Sequence, residues 1–139
     1  MTPRLPLAFG TTILLSSCTL FGGGPSLPGG TWRLTALTAA GGPVAVPAAN
    51  APTLEFRDGR VTGTTGCNQY SGPAVLKDAR LTLGPIAATR AACLDPTGTA
   101  VETAYLDDLN AVNAYSQTGD NLILTTSGPG RLEFTKANP

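Results

Sequence analysis

The chain has 139 residues, nine basic and nine acidic side chains, and a charged fraction of only 13%. No basic patch or interleaved aromatic–basic run is present, so nucleic acid is not an expected partner. Histidine is absent, which removes His-based acid–base catalysis, Ser–His and Cys–His nucleophile pairs, and the usual zinc sites.

Residues 1–17 read as a secretory signal. Arg4 is their lone charge, an apolar run fills 5–15, and small residues lead to Cys18. That run is too short to span a bilayer as a helix, which takes about 20 residues. Leu15-Ser16-Ser17-Cys18 resembles the lipobox of bacterial lipoproteins. The resemblance implies that Cys18 is lipidated and becomes the mature N-terminus. Its thiolate can carry a thioether-linked diacylglycerol, and several acyl chains together hold a domain stably on a membrane. The alternative is a plain secretory signal with a chance cysteine. Residues 18–30 follow as an uncharged tether rich in Gly and Pro, which cannot bury enough surface to fold. The expected location is the bacterial cell envelope, with the membrane as partner through the lipid on Cys18. By the same resemblance, the non-acidic Thr19 favours the periplasmic face of the outer membrane if the cell has two membranes.

Residues 31–137 are expected to form one domain. Trp32, Leu34 and Ala36 alternate with Arg33 and Thr35, which predicts a half-buried strand. Residues 39–52 read as loop, with a short edge strand at Val44 and Val46. Asp58-Gly59 is a hairpin signal between 53–57 and 60–64. A second hairpin joins 74–77 to 80–83 across Asp78-Ala79, and Gly84-Pro85 ends it. Residues 86–93 read as an extended or irregular crossing.

From Thr99 the apolar period becomes helical. Val101, Ala104, Tyr105, Leu109 and Val112 share one face, Glu102, Asp107 and Asp108 point away, and Thr97 or Thr99 is the expected N-cap. Strands resume at 111–116, 121–125 and 131–135. The fold class is mainly β (α+β): an antiparallel barrel-like or curled sheet of roughly seven or eight short strands with one α-helix. Trp32, Leu54, Phe56, Tyr105 and Phe134 are the candidate interior.

Gly66-Cys67-Asn68-Gln69-Tyr70-Ser71-Gly72 closely resembles the META domain, the family of the heat-shock lipoprotein HslJ. The match runs in order from Trp32 and Leu34 through Leu54, Phe56, Gly63, Ile86, Thr89, Cys93, Tyr105, Leu109, Leu122 and Leu124 to Leu132 and Phe134. Many members carry methionine just before the second cysteine; here the residues are Arg90-Ala91-Ala92. The resemblance implies a small barrel-like fold with one helix and an envelope or stress-related role, including antibiotic tolerance. It implies no reaction, cofactor or catalytic residue.

Cys67 and Cys93 form an even pair outside the cytoplasm, most simply a disulfide. A redox or nucleophilic thiol and two reduced, buried neighbours are the alternatives. Gly66, Asn68 and Gly72 suit backbone geometry, since Gly and Asn tolerate positive φ and the Asn side chain can satisfy loop backbone. Tyr70 is either a ligand contact or a core aromatic with a bonded hydroxyl, and Thr89 is expected to bond backbone. Asp107 and Asp108 point about 100° apart on a helix and read as a solvated face; Asp58 and Asp78 are turn residues. No metal-ligand cluster is visible. The expected function is a non-catalytic, monomeric binding or interaction lipoprotein, its partner an envelope protein, peptide or hydrophobic ligand. A lipocalin-like carrier with a lined cavity and a thiol-dependent redox protein are the other readings.

Overall fold

Short apolar–polar alternations separated by tight turns become ten strands and one helix. The structure, a computed structural model, describes residue 3 and residues 26–138; Cys18 and the rest of the expected signal lie outside the described residues. In chain order the elements are β1 (Thr31–Ala39), β2 (Gly42–Val44), β3 (Thr53–Arg57), β4 (Arg60–Thr64), β5 (Gln69–Lys77), β6 (Arg80–Leu83), β7 (Ala87–Ala88), α1 (Pro96–Ala111), β8 (Val112–Thr118), β9 (Asn121–Thr126) and β10 (Arg131–Lys136). Among the described residues no helix is long and apolar enough to cross a membrane.

All strand pairs are antiparallel. The main path runs β6-β5-β4-β3-β1-β10-β9-β8, with β2 added to β1 and β7 to β5. The path curls until β6 and β8 lie side by side without hydrogen bonds between them. The result is a barrel with one unbonded seam, as the strand pattern predicts. The two Asp-led hairpins close as expected, with Asp58, Gly59 and Asp78 at φ 51°, 73° and 56°. Asp tolerates this left-handed region and Gly adopts it freely.

One strand departs from simple alternation. Leu34 stands opposite Phe134, but Ala36 stands opposite Glu133, so Thr35 is an extra residue in β1. A β-bulge of this kind shifts the inside–outside phase. Trp32 and Leu34 face the core as expected, whereas after the bulge Leu37 is buried and Ala36 is only half-buried.

The interior is filled by side chains. Trp32, Leu34, Leu54, Val61, Leu81, Tyr105, Leu109, Leu122, Leu124, Leu132 and Phe134 are all at most 1% exposed and join one core cluster. Each large apolar side chain buried this way contributes roughly 1.5–3 kcal/mol. Helix α1 touches β1, β2, β6, β9 and β10 and directs Val101, Tyr105 and Leu109 into the core.

Two helix expectations are corrected. The N-cap is Asp95, whose Oδ1 accepts from the Gly98 N–H at 2.7 Å, with Pro96 as the first helical residue. Aspartate followed by proline combines a strong cap with the residue best suited to the first helical position, and it outcompetes Thr97 and Thr99. Asp108 is not on a solvated face. It is 8% exposed because the Gly128–Gly130 turn folds over it, and a Cβ on Gly130 would lie 2.6 Å from Asp108 Oδ1.

Candidate functional site

The turn from β4 into β5 gathers most of the residues that the sequence singles out. The Thr65 N–H donates to the Asn68 carbonyl (2.8 Å), and Thr65 Oγ1 accepts from the Asn68 N–H (2.9 Å). Gly66, between them, has φ 99°, and a Cβ there would collide with the Asn50 carbonyl. Glycine is therefore required on two counts. Gly72 is needed for a different reason than expected: its φ is not positive, but a Cβ would press within 2.8 Å of both Ile86 Cδ1 and the Pro85 carbonyl.

Asn68 also avoids positive φ and works through its side chain. Its Nδ2 donates to the Ala91 carbonyl (2.9 Å) and to Glu102 Oε1 (2.6 Å). Its Oδ1 accepts from the Ala91 N–H (2.8 Å) and from Thr89 Oγ1 (3.0 Å). A carboxamide has two donors and one two-lone-pair acceptor, so every position is used. Thr89 bonds backbone as expected, its Oγ1 accepting from the Gln69 N–H at 3.0 Å and its own N–H donating to the Gln69 carbonyl at 2.9 Å.

Cys67 and Cys93 are joined in a disulfide, their Cα atoms 5.4 Å apart and 26 residues apart in sequence. In the chain-entropy description, closing such a loop stabilises the fold by about 3–4 kcal/mol. The bridge fastens the β4–β5 turn to the 86–95 segment beside the Asn68 bonds.

Glu102, expected to face away, is turned toward this cluster. Its Oε1 accepts from Thr65 Oγ1 (3.0 Å) as well as Asn68. Its Oε2 lies 3.2 Å from Cys93 Sγ and 3.7 Å from Cys67 Sγ. A disulfide sulfur carries no proton, so these are packing contacts and not hydrogen bonds. Sequence reasoning misses Glu102 because its partners come from two distant segments. The available signal is one helical turn: Gly98 and Glu102 share a face, and that face meets the disulfide.

Tyr70 is a core aromatic. Its hydroxyl donates to the Thr53 carbonyl (2.7 Å) and lies 2.8 Å from the Tyr105 hydroxyl, which reaches the same carbonyl at 3.2 Å. The Tyr70 and Tyr105 rings meet edge to face at 5.6 Å. Burial is the main cause that raises both hydroxyls above the usual tyrosine range; the bond from Tyr105 partly offsets it at Tyr70, and proximity to Tyr70 adds to it at Tyr105.

The META domain family profile matches residues 25–139. The chain belongs to the META domain family. A comparison with curated proteins gave no match. Among solved structures, a protein from Burkholderia xenovorans determined by NMR is 25% identical with a TM-score of 0.68, covering 99% of this chain and 100% of that one. A second NMR structure, 24% identical with a TM-score of 0.59, covers 78% of this chain and 90% of its own. A DUF4847 family protein from Bacteroides vulgatus, 13% identical with a TM-score of 0.57, covers 79% and 94% respectively and shares the fold.

Two surface clefts flank the Asn68–Glu102 cluster of this META domain. One, of about 410 Å³, opens over the disulfide between Asn50, Leu94, Gly98 and Val101. Leu94 is fully exposed on its rim. The other, of about 680 Å³, runs between residues 86–93 and α1, past Arg90, Leu106 and Asn110.

Proposed function

We propose that this META domain is a non-catalytic, membrane-anchored envelope lipoprotein of the HslJ type. It binds a peptide or another envelope protein on its outer surface, in a stress- or drug-tolerance-related role. The observation that carries the reading is the packed interior. Trp32, Leu54, Phe56, Tyr105 and Phe134 occupy the space that a lipocalin-like carrier would need for its ligand, so recognition falls to the surface. The cleft beside the disulfide, with exposed Leu94 on its rim, offers an apolar contact set in a polar surround, the composition of a small recognition patch. The hydroxyls of Thr65 and Thr89 and the Oε1 atom of Glu102 are committed to bonds within the cluster, which supports a structural use over a catalytic one. Anchoring rests on the lipobox-like Leu15-Ser16-Ser17-Cys18 and the tether behind it.

Two measurements test this. Mass spectrometry of the mature protein is expected to find acylated Cys18 at its N-terminus. A deletion strain is expected to change in sensitivity to envelope stress or antibiotics, with recovery on re-expressing the wild type but not Cys18→Ser or Leu94→Asp. Unchanged sensitivity across those stresses rejects the functional role, and an unmodified Cys18 rejects the anchor.

A further inference from the structure

Glu102 places a carboxylate against two sulfurs and forms no ion pair among the described residues, whose salt bridges are Arg57–Glu55 and Arg131–Glu133. Cys67 Sγ, Cys93 Sγ and a Glu102 carboxylate oxygen lie within 4.8 Å of one another. They come from three separate pieces of chain: the β4–β5 turn, the 86–95 segment and α1. We infer that reduction of the Cys67–Cys93 disulfide creates a binding site for a thiophilic divalent cation of the zinc type, held by Cys67 Sγ, Cys93 Sγ and Glu102 Oε2.

The geometry suits such an ion. Zinc bonds sulfur at about 2.3 Å and carboxylate oxygen at about 2.0–2.2 Å, so tetrahedral sulfur and oxygen ligands stand roughly 3.5 Å apart. Glu102 Oε2 sits 3.2 and 3.7 Å from the two sulfurs. The Cα atoms, 5.4 Å apart, let the sulfurs separate by side-chain rotation once the bond between them is gone. The other Glu102 oxygen is held by Asn68 Nδ2 and Thr65 Oγ1, the outer support that orients a metal-binding carboxylate. Cys67 and Cys93 line the cleft of about 410 Å³, from which water or an incoming ligand would complete the coordination.

Charge points the same way. Two thiolates and a carboxylate carry three negative charges, and a divalent cation removes most of their mutual repulsion. The balance is simple. A dithiol reductant gives two electrons and two protons to the disulfide and becomes a disulfide itself. The cation then displaces the two thiol protons to solvent. Disulfide and metal are mutually exclusive, so the redox state of the pair switches the site on and off. The inference is independent of the proposed surface-binding role.

The test uses the mature chain in both redox states. A phosphine reductant opens the disulfide, with water supplying the two protons and the oxygen that the phosphine takes up. Cadmium is then titrated as a spectroscopic probe, and zinc competes for it. The reduced protein is expected to bind one cadmium per chain with thiolate-to-metal charge-transfer absorption, and to keep the native near-ultraviolet dichroism of Trp32. The oxidised protein is expected to show no such band. Glu102→Gln is expected to weaken binding by roughly 10–100-fold, and Cys93→Ser to abolish the one-to-one complex. Absence of stoichiometric binding overturns the inference, as does full-strength binding by Glu102→Gln. Binding without the native Trp32 signal also overturns it, because unfolded cysteines take up metal too.

Discussion

Asn68 holds the start of β5, the segment around Ala91 and helix α1 together through four hydrogen bonds from one side chain. Truncating it strands the Ala91 N–H and carbonyl and the Thr89 hydroxyl proton, and leaves Glu102 Oε1 with Thr65 Oγ1 alone. Asn68→Ala is therefore expected to lose about 2–3 kcal/mol in urea unfolding. Asn68→Asp is expected to lose more, because a second carboxylate would stand where Asn68 Nδ2 now donates a hydrogen bond to Glu102 Oε1 at 2.6 Å. Asp108 is the opposite kind of residue. Its Oδ2 is buried with no hydrogen-bond partner among the described residues. Burial first, and then the charge of Asp107, raises its pKa. The folded state thus holds this proton to higher pH than the unfolded chain, so the stability contribution falls as pH rises above about 3.9. Asp108→Asn is expected to stabilise the domain by about 1 kcal/mol at pH 7 and to give no gain at pH 3, as read from thermal or urea midpoints. Gly66, Asn68 and Thr89 were legible in the sequence as motif residues, structural or binding. The positive φ of Gly66 and the backbone bonds of Thr89 and the Asn68 side chain are of the kinds the residue types suggest. The burial of Asp108 was not, since it depends on a turn that arrives about twenty residues later.

At the level of elements, hairpins were the most legible part. Asp58-Gly59 and Asp78 carry turn chemistry that acts over a few residues, and the strands on either side follow from it. The bulge at Thr35 was not legible, because its cause lies in pairing with β10, almost a hundred residues away. The approach of β4 to β3 is similarly hidden. A Cβ on Gly63 would collide with the Thr53 carbonyl and lie 2.8 Å from Tyr70 Oη. Gly63→Ala is therefore expected to force β3 and β4 apart and to break the tyrosine–carbonyl bonds. The expected loss is at least about 3 kcal/mol in urea unfolding, with a changed near-ultraviolet signal from Tyr70 and Tyr105. A variant that melts like wild type would refute the close packing.

For the whole molecule, the barrel-like class and the single helix followed from periodicity and from the likeness to the META domain. Whether Trp32, Leu54, Phe56, Tyr105 and Phe134 fill the interior or leave a lined cavity was open in the sequence; all five are buried in one cluster. Hidden from the sequence was the convergence of Cys67, Cys93 and Glu102, because only the closed sheet brings α1 over the β4–β5 turn. The same closure has a mechanical side. A sheet whose end strands merely lie side by side is a ring with a cut link, and the clasp is the run of β7 and α1 that connects β6 to β8. The disulfide and the four bonds of Asn68 tie that clasp to the β4–β5 turn and do not join β6 to β8. Loosening the clasp would unroll the sheet from its ends inward. Backbone amides of β6 and β8 are therefore expected to exchange with deuterium as one group, ahead of those in β1, β3 and β10. Reduction of the disulfide should speed that group most. Exchange that begins in the central strands would show that the ring is held some other way.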